Sequence, residues 1–325
     1  MAIFRKIFLV FVVSLVALPV SAVAEERRSI DVSPGALNSA PLYGPEGIVL
    51  AQDGSIYVGE HDGRIRRVTA TGEVKDFADL NDLPGERKDR VGAVGIAMDK
   101  GGDIYAATLD SLGGAVLKVV GPGKADSGNV TLYRKGIGLA NFILIDDETE
   151  TMYVSDSSMF SGRVFRFDMN DKTLEGSAVD PETELLGKFS YANGLALGPE
   201  KKFLYVAETT RGRVSRINLE TNESNVFVKT GGWADGLLFE PERRMLFVCD
   251  NKGGRIVAVD LSGEIKGDVH LVGKEGQCAP ASLAFRGSDT IVFTDLWKAS
   301  MLAALLGRPK HHSYVYEVPM DEVLR

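Results

Sequence analysis

Short apolar runs with the alternation of β-strands dominate the chain, and they recur in a fixed order. Each apolar run is followed by a turn rich in Asp, Gly, Pro or Glu, and then by a second run centred on an aromatic or large aliphatic residue. Most copies continue into a third alternating run such as RIRRV or RVFRFD. The six copies begin with GPEGIVL, GAVGIAM, GLANFIL, YANGLAL, GWADGLL and CAPASLA. A repeat of about 42 to 52 residues with almost no helical periodicity predicts an all-β fold, a six-bladed β-propeller.

The repeat also predicts how the ring begins and ends. In a propeller the first strand of each blade lines the axis and begins at one mouth, and the second strand returns to that mouth. The last copy has a late strand at 314–319 and lacks an outermost strand, which we expect residues 29–32 to supply, so that no edge is exposed. One stretch departs from the β pattern, because residues 297–312 are expected to form a short helix or a lid.

The first 24 residues differ in character from the repeats. Arg5 and Lys6 precede an apolar run at 7–18, and the AVA at 22–24 has the small-x-small pattern of a cleavage site. The run is shorter than the roughly 20 residues that a membrane span needs. We therefore expect residues 1–24 to be a secretory signal peptide, with an uncleaved anchor as the alternative. Residues 25–325 are then a single propeller domain, exported to the periplasm or secreted.

Composition and charge narrow the classes of partner. The formal net charge is −8, which argues against a nucleic-acid-binding surface. Two cysteines and four histidines argue against a thiolate zinc site. The sequence has no G-x-S-x-G motif, phosphate loop or dinucleotide fingerprint. We expect a small-molecule substrate, no nucleic acid, no membrane contact after signal removal, and a monomer or weak oligomer.

A polar residue stands at the head of most inner strands, where blade geometry places it at the shared mouth. In the six copies this position holds Glu46, Ala93 or Val94, Asn141, Asn193, Asp235 and Ser282. Two carboxylates match the charge of one divalent cation, and two amides add oxygen ligands without further charge. The predicted metal ligands are Glu46, Asn141, Asn193 and Asp235, with Ca²⁺ as the expected ion and Mg²⁺, Mn²⁺ or Zn²⁺ as alternatives. The other interpretation is that these side chains cap strand starts or form Asx-turns.

These same segments carry a resemblance to a known family. PEG, LANF, YANGLAL and WADGLLF, each followed by a strand like LYVAE, are similar to the senescence marker protein (regucalcin), gluconolactonase and luciferin-regenerating-enzyme family of six-bladed propellers. The resemblance covers residues 44–319. It implies a divalent metal, usually calcium, surrounded by Glu46, Asn141, Asn193 and Asp235, and hydrolysis of lactones or phosphorus esters. Two departures, Ala234 before Asp235 and Ser282 in the sixth copy, put the substrate pocket in doubt.

The chain also resembles the strictosidine synthase-like branch of the same superfold, through YVSDSS and the segment around YANGLAL. The condensing enzyme of that branch uses a Glu near the sixth blade as its base. No Glu stands at the corresponding position in GQCAPASLAF, so the condensation of an amine with an aldehyde is not expected.

The ends of the second strands reach the same mouth and offer further side chains. They are His61, Asp156, Glu208, Asp250 and Asp295, which either line the pocket or hold turns by hydrogen bonds to the backbone. His61 is the best functional candidate among them, because an imidazole exchanges protons near neutral pH. Cys249 and Cys278 should lie near each other, either bonded or as separate buried thiols.

Two functions follow from these observations. The first is an exported, metal-dependent hydrolase of the lactonase type, with Asp235 as base or nucleophile, His61 as a second catalytic residue and Glu46 mainly holding the metal. The second is a non-catalytic propeller that binds a ligand or a protein and uses calcium as a structural plug. The fold by itself does not separate the two.

Overall fold

The structure is a computed structural model that describes residues 28–84, 92–109, 113–159, 161–180, 182, 184–296 and 313–325. The expected signal peptide at 1–24 and the expected helix or lid at 297–312 lie outside these residues. Within the described ranges, no helix is both long and apolar enough to cross a membrane.

Six antiparallel sheets form the blades of a β-propeller, which confirms the predicted fold. Blade 1 consists of Pro45–Leu50, Ile56–Glu60, Arg64–Val68 and Val74–Asp79. Blade 2 consists of Gly92–Met98, Ile104–Leu109, Ala115–Val119 and Val130–Lys135. Blade 3 consists of Ala140–Asp146, Thr151–Asp156, Gly162–Asp168 and Leu185–Phe189. Blade 4 consists of Ala192–Leu197, Phe203–Glu208, Arg213–Asn218 and Ser224–Lys229. Blade 5 consists of Ala234–Glu240, Met245–Asp250, Arg255–Asp260 and Ile265–Gly273. Blade 6 consists of Pro280–Arg286, Thr290–Asp295 and Val315–Pro319. In each blade the first of these is the inner strand.

Few elements lie outside the blades. The short strands Ser177–Ala178 and Gly276–Gln277 extend blades 2 and 5. An α-helix at Met320–Leu324 packs against the outer strand of blade 5. Short 3-10 helices occupy Ser33–Gly35, Leu80–Asp82, Lys172–Leu174, Pro199–Lys201 and Thr209–Arg211. The sheets therefore carry almost all of the packing.

The hydrophobic core consists of layers between neighbouring blades. Each of six clusters of buried side chains joins two adjacent sheets, including one in which Ile48 and Val58 of blade 1 pack with Val292 and Val315 of blade 6. The inner strand of blade 6 also packs against the inner strand of blade 1. Burial of apolar side chains, the main stabilising term in folding, thus closes the ring. In a propeller the first residues of all inner strands lie at the same end of the axis.

The N-terminal segment does not complete the last blade as expected. The strand Ser29–Asp31 pairs in parallel with the outer strand of blade 5, Ile265–Gly273, so the prediction that it belongs to blade 6 is wrong. The chain then crosses to blade 6, where Leu37 N donates to Val315 O at 2.8 Å and Leu42 N donates to Ser313 O at 2.8 Å. The last blade keeps three strands, and its edge is covered by this irregular segment rather than by a fourth strand.

A β-bulge at the head of every inner strand explains why a polar residue can stand there. In blade 4, Asn193 and Gly194 together lie opposite the single residue Ala207 of the second strand. The extra residue leaves the ladder, so its side chain is re-aimed toward the axis without disturbing the alternation of Leu195 and Leu197. We call the first bulge residue of each blade its ring position.

Candidate functional site

The register fixes the ring positions of the six blades. They are Glu46, Val94, Asn141, Asn193, Asp235 and Ala281. Blades 2 and 6 are therefore apolar at this position. The sixth position is Ala281 and not Ser282, because Pro280 pairs with Asp295 and the bulge begins one residue later. The four oxygen-bearing residues are all buried, with 4 to 9% of their surface exposed.

Glycine is the second bulge residue in blades 1, 2, 4 and 5, where it lets the inner strands approach closely. A Cβ added to Gly194 would lie 2.2 Å from Asp235 O, and one added to Gly47 would lie 2.6 Å from Val94 O. Gly95 and Gly236 stand in the same relation to the ring positions of the blades that follow them. Glycine at these bulges thus brings neighbouring ring positions together, whereas any side chain would push the blades apart.

A hydrogen-bond network sets the orientation of the Asn193 amide. Thr209 Oγ1 donates to Ala234 O at 2.7 Å, so it accepts from Asn193 Nδ2 at 3.2 Å. The same amide also hydrogen-bonds to the Asp235 carboxylate. With Nδ2 directed to these acceptors, Asn193 Oδ1 is buried and has no hydrogen-bond partner among the residues that the structure describes. An unsatisfied buried acceptor costs about 1–3 kcal/mol, which a ligand at this end of the axis would offset.

Glu46 and Asp235 place two carboxylates near each other at this end of the ring. Burial, followed by the negative charge of Glu46, raises the pKa of Asp235 well above its ordinary value, although the Asn193 hydrogen bond opposes this. A cation between the carboxylates would reverse the repulsion. Within the described residues, no three His, Cys, Asp or Glu side chains are grouped to hold a metal ion, so a metal here depends on the amide oxygens.

His61 lies against Glu46, where its Nε2 pairs with Oε2 of the carboxylate. Desolvation lowers the pKa of His61, but the Glu46 hydrogen bond and the charges of Glu46, Asp62 and Glu60 outweigh it, so the pKa lies above its ordinary value. The ring keeps 30% of its surface exposed, so it reaches solvent as well as the buried carboxylate. The structure thus links Glu46, His61, Asn193 and Asp235 by hydrogen bonds and charge. Asn141 joins this set through its ring position in blade 3, which is equivalent to those of Glu46, Asn193 and Asp235.

The carboxylates that end the second strands are buried and hydrogen-bonded to the backbone. Register makes Glu60, not His61, the equivalent of Asp156, Glu208, Asp250 and Asp295. Each accepts a hydrogen bond from a backbone N–H in the loop just before the inner strand of its own blade. The donors are Tyr43, Leu139, Ser190, Trp233 and Ala279. Arg163, Arg213 and Arg255 pair with three of them at 2.6 to 3.0 Å. These buried carboxylates therefore hold the turns by hydrogen bonds to the backbone, which is the second of the two interpretations given to them by the sequence.

His61 differs from its counterparts in blades 3, 4 and 5. The residue after the second strand is Ser157 in blade 3, Thr209 in blade 4 and Asn251 in blade 5. Each of these side chains donates to a backbone carbonyl of the following blade, at 2.6, 2.7 and 3.3 Å respectively. His61 instead turns its side chain to Glu46. The departure from the repeat marks this imidazole as part of the site.

Tyr191 and Thr209 belong to the site but were missed by the sequence analysis. Tyr191 has φ = +56°, a region that bulky residues rarely adopt, at a cost of about 1–3 kcal/mol. Burial and the charges of Glu46 and Asp235 raise the pKa of its phenol. The signal in the sequence was the aromatic residue two places before Asn193, where the first copy has Gly44, and the Thr that ends LYVAET.

The two cysteines are both free and both buried, and they lie in the hydrophobic cluster between blades 5 and 6. Their place in one cluster agrees with the prediction that they lie near each other. Of the two states considered, a bonded pair or separate buried thiols, the structure shows separate buried thiols. Burial raises the pKa of both thiols, and Cys249 Sγ accepts a hydrogen bond from the bulge residue Gly236.

Comparisons with known proteins agree with this architecture. The family described as "SMP-30/Gluconolactonase/LRE-like region" matches residues 21–184 and 177–294. A mouse adipocyte plasma membrane-associated protein is 28% identical over 192 residues, which is 54% of this chain and 45% of that protein. Strictosidine synthase-like 10 of Arabidopsis thaliana is 28% identical over 218 residues, 59% of this chain and 57% of that protein. The chain thus spans about half the length of these relatives.

Solved structures show the same fold at low sequence identity. A calcium-binding regucalcin from Agrobacterium tumefaciens has a TM-score of 0.63 at 14% identity, covering 90% of this chain and 95% of that one. A gluconolactonase from Xanthomonas campestris has a TM-score of 0.58 at 15% identity, covering 86% and 95%. With the family match spanning most of the repeats, the chain belongs to the SMP-30/gluconolactonase/LRE-like family.

Proposed function

We propose that the protein is an exported, metal-dependent hydrolase of the lactonase type that acts on a small lactone or ester. The observation that carries the proposal is the buried Asn193 Oδ1, which has no hydrogen-bond partner in the described part of the chain and lies near the Glu46 and Asp235 carboxylates. Two carboxylates and an amide oxygen are a set of donors that fits a hard cation. Supporting it, the family includes gluconolactonase, and a structural neighbour is a calcium-binding regucalcin. The export part rests on the signal-like residues 1–24.

The residues present fit a hard divalent cation, Ca²⁺ first and Mg²⁺, Mn²⁺ or Zn²⁺ as alternatives. Glu46, Asn141, Asn193 and Asp235 would hold it, since carboxylate and amide oxygens are the ligands that Ca²⁺ prefers. Glu46 keeps a carboxylate oxygen for the ion, because His61 occupies only Oε2. When bound, such an ion polarises an ester carbonyl and favours the ionised form of a nearby carboxylate.

The chain's own groups then divide the proton transfers of ester hydrolysis between them. The Asp235 carboxylate accepts a proton from the attacking water as its oxygen bonds to the carbonyl carbon. The His61 imidazolium, held by Glu46 and open to solvent, donates a proton to the alkoxide that leaves when the ring C–O bond breaks. Asn193, fixed by Thr209, keeps the Asp235 carboxylate in place. One water is consumed and a hydroxy acid is formed.

Hydrolysis of a panel of γ- and δ-lactones with added Ca²⁺ and with chelator tests this proposal. We expect turnover that chelation abolishes and Ca²⁺ restores, and that Asp235→Asn lowers by at least about 10²-fold. Glu242→Gln, an exposed carboxylate in a turn of blade 5, is the matched control. Normal turnover by Asp235→Asn with metal bound would disprove the role of Asp235.

The second candidate is a non-catalytic propeller in which the same four residues hold calcium as a structural plug for a ligand- or protein-binding domain. The tight packing of Gly194 against Asp235 O favours it, because a plug there would join blades 4 and 5. The two candidates differ in one outcome. If chelation lowers the melting temperature and no lactone is hydrolysed under any condition, the plug is the correct interpretation.

A further inference from the structure

The two ends of blades 3 and 4 carry opposite charge. At the end of the ring positions, which we call the mouth end, the turn after each second strand and the end of each outer strand have five basic and two acidic residues. They are Arg163, Lys188, Arg211, Arg213 and Lys229, with Asp156 and Glu208. At the far end, the turns at 146–150, 168–175, 198–202 and 219–223 have ten acidic residues and three lysines. The negative charge of these blades therefore lies away from the candidate site.

Three of the basic residues at the mouth end are not balanced by the carboxylates there. Each carboxylate pairs with the arginine of its own blade, at 2.8 Å in blade 3 and 2.6 Å in blade 4. Lys188, Arg211 and Lys229 are exposed, and none of them forms an ion pair with a residue that the structure describes. We call these three residues the mouth cations. Each lysine at the far end does form an ion pair; they are Lys172, Lys201 and Lys202.

Strand register places the mouth cations at the level of the ring positions. In blade 4 a row of paired residues runs from Lys229 across the third and second strands to the residue before Asn193. Blade 3 has the same row, from Lys188 to the residue before Asn141. Because neighbouring strands lie about 4.8 Å apart, the outer strands are about 14 Å from the inner strands. Arg211 is nearer to the axis, in the turn that follows the second strand of blade 4.

Blade 1, which lies opposite blade 4 in a ring of six, has the reverse charge at its mouth end. Within the described residues, the turn after its second strand and the end of its outer strand, with the 3-10 turn that follows, have one basic and four acidic residues. They are Arg64, with Glu60, Asp62, Asp79 and Asp82. The cation proposed for the ring would balance Glu46 and Asp235. The change of sign from blade 1 to blades 3 and 4 is therefore the field that a substrate meets.

We propose that the substrate is an anionic lactone or ester, one that carries a carboxylate or phosphate group besides the bond that is hydrolysed. This inference rests on the proposed hydrolase function and names its class of substrate. The mouth cations attract the anionic group toward blades 3 and 4, which leaves the ester over the ring and its alkoxide on the side of His61 in blade 1. A chain with a net charge of −8 otherwise repels an anion, so this local positive charge favours its capture.

The test removes the three charges and compares two lactones that differ in charge. One lactone carries a carboxylate, and the other carries the corresponding methyl amide. The mouth variant combines Lys188→Gln, Arg211→Gln and Lys229→Gln in the full-length protein loaded with Ca²⁺. The matched control makes the same change of net charge at the far end, where 52 to 68% of each side chain is exposed. It combines Lys75→Gln, Lys172→Gln and Lys202→Gln.

We expect the preference for the acidic lactone to depend on salt. At about 0.01 M salt, where charges act over about 30 Å, the parent should hydrolyse the acidic lactone with the higher kcat/KM. The mouth variant should lose about 10-fold of that kcat/KM, with kcat and the hydrolysis of the amide unchanged, whereas the control should stay close to the parent. At about 1 M salt the Debye length is about 3 Å, and parent and mouth variant should not differ.

Two kinetic results overturn the inference: a parent that prefers the amide at low salt, or an equal loss of kcat/KM in the mouth variant and the control. Calorimetric titration with the lactam analogues of the two lactones, which resist hydrolysis, measures the same preference without turnover. The parent should bind the acidic lactam about 10-fold more tightly at low salt, and equal binding of the two lactams also overturns the inference. A parent that hydrolyses neither lactone disproves the proposed function, a distinct result, because the lactam titration still shows whether the mouth selects anions.

Discussion

Glu60 and Glu208 end the second strands of blades 1 and 4 at equivalent positions, yet their carboxylates meet opposite surroundings. Arg213 and Ser215 hydrogen-bond to Glu208, and with the Ser190 amide they outweigh burial, so the pKa of Glu208 is lowered. At Glu60, burial dominates and raises the pKa to about 7. Arg64 and Arg66 lie 3.5 and 3.7 Å from Glu60 Oε2, but Arg64 is directed to Asp62 at 2.9 Å.

Glu60 should make the fold less stable as the pH rises. A raised folded-state pKa contributes stability that is present below the ordinary pKa of a glutamate and is lost as the pH rises through about 7. Since one unit of pKa difference corresponds to about 1.4 kcal/mol, the loss is on the order of 3 kcal/mol. Urea unfolding between pH 5 and 8 should show Glu60→Gln gaining stability relative to the parent by this amount.

Glu208→Gln is the control, and its pH dependence should have the opposite sign. Its lowered pKa contributes stability above the ordinary glutamate pKa that is lost as the pH falls through the folded-state value. The variant should therefore be less stable than the parent at pH 7, with a difference that shrinks in acid. Parallel curves for the two variants would contradict the contrast between blades 1 and 4.

Thr209→Val should weaken cation binding without removing a ligand. Valine has the shape of threonine but neither accepts from Asn193 nor donates to Ala234 O, so the Asn193 amide is free to rotate away. Loss of such a supporting contact typically costs about 10-fold or more in metal affinity. Calorimetric titration with Ca²⁺ measures this. Ser157→Ala is the control. It removes the equivalent hydrogen bond, from Ser157 of blade 3 to Ala192 O of blade 4, and should change the Ca²⁺ affinity less, because Ser157 makes no hydrogen bond to the side chain at a ring position.

Gly194→Ala should destabilise the ring. Its β-carbon would lie 2.2 Å from Asp235 O, a backbone atom that cannot move without shifting blade 5. Overpacking of this kind costs about 1–3 kcal/mol, and the displaced Asp235 should lower Ca²⁺ affinity as well. Gly35→Ala is the control, since a β-carbon there meets nothing closer than 3.7 Å. Chemical denaturation of both variants measures the difference, and equal stabilities would contradict the close approach of the blades.

Cys249 and Cys278 should be unreactive in the folded protein. Both thiols are buried with raised pKa values, so little thiolate is present to react at neutral pH. Titration with a thiol reagent should give no reactive thiol in the native state and both thiols after unfolding without reductant. If reductant is needed to expose them in the denaturant, a disulfide joins them and the structure is wrong on this point.

Much of the fold followed from the periodicity of the sequence. The six repeats, the inner strands and the polar ring positions of blades 1, 3, 4 and 5 were predicted because strand alternation and turn residues report local structure directly. The sixth ring position was assigned one residue late, at Ser282. A bulge adds one residue without changing the apolar pattern, so its place depends on the pairing of Pro280 with Asp295.

The remaining differences depend on contacts between distant segments. The N-terminal strand joins blade 5 and not blade 6, and its Ile30 packs against the cluster between these two blades. The sequence left open whether the strand-end carboxylates line a pocket or hold turns, because it does not show the backbone donors, in the loop before the inner strand of the same blade, to which they bond. Tyr191 was missed because its signal in the sequence, an aromatic residue two places before Asn193, does not reveal its φ angle.

The central claim is that one hard cation is shared by side chains from four blades. Crystals of chelator-treated protein soaked in Mn²⁺, which gives an anomalous signal, and in Ca²⁺ test it most directly. We predict a single peak on the axis with Glu46, Asn141, Asn193 and Asp235 oxygens at about 2.0–2.6 Å. A soaked crystal with no ion there, or with these four oxygens too widely separated to share one, would contradict the account.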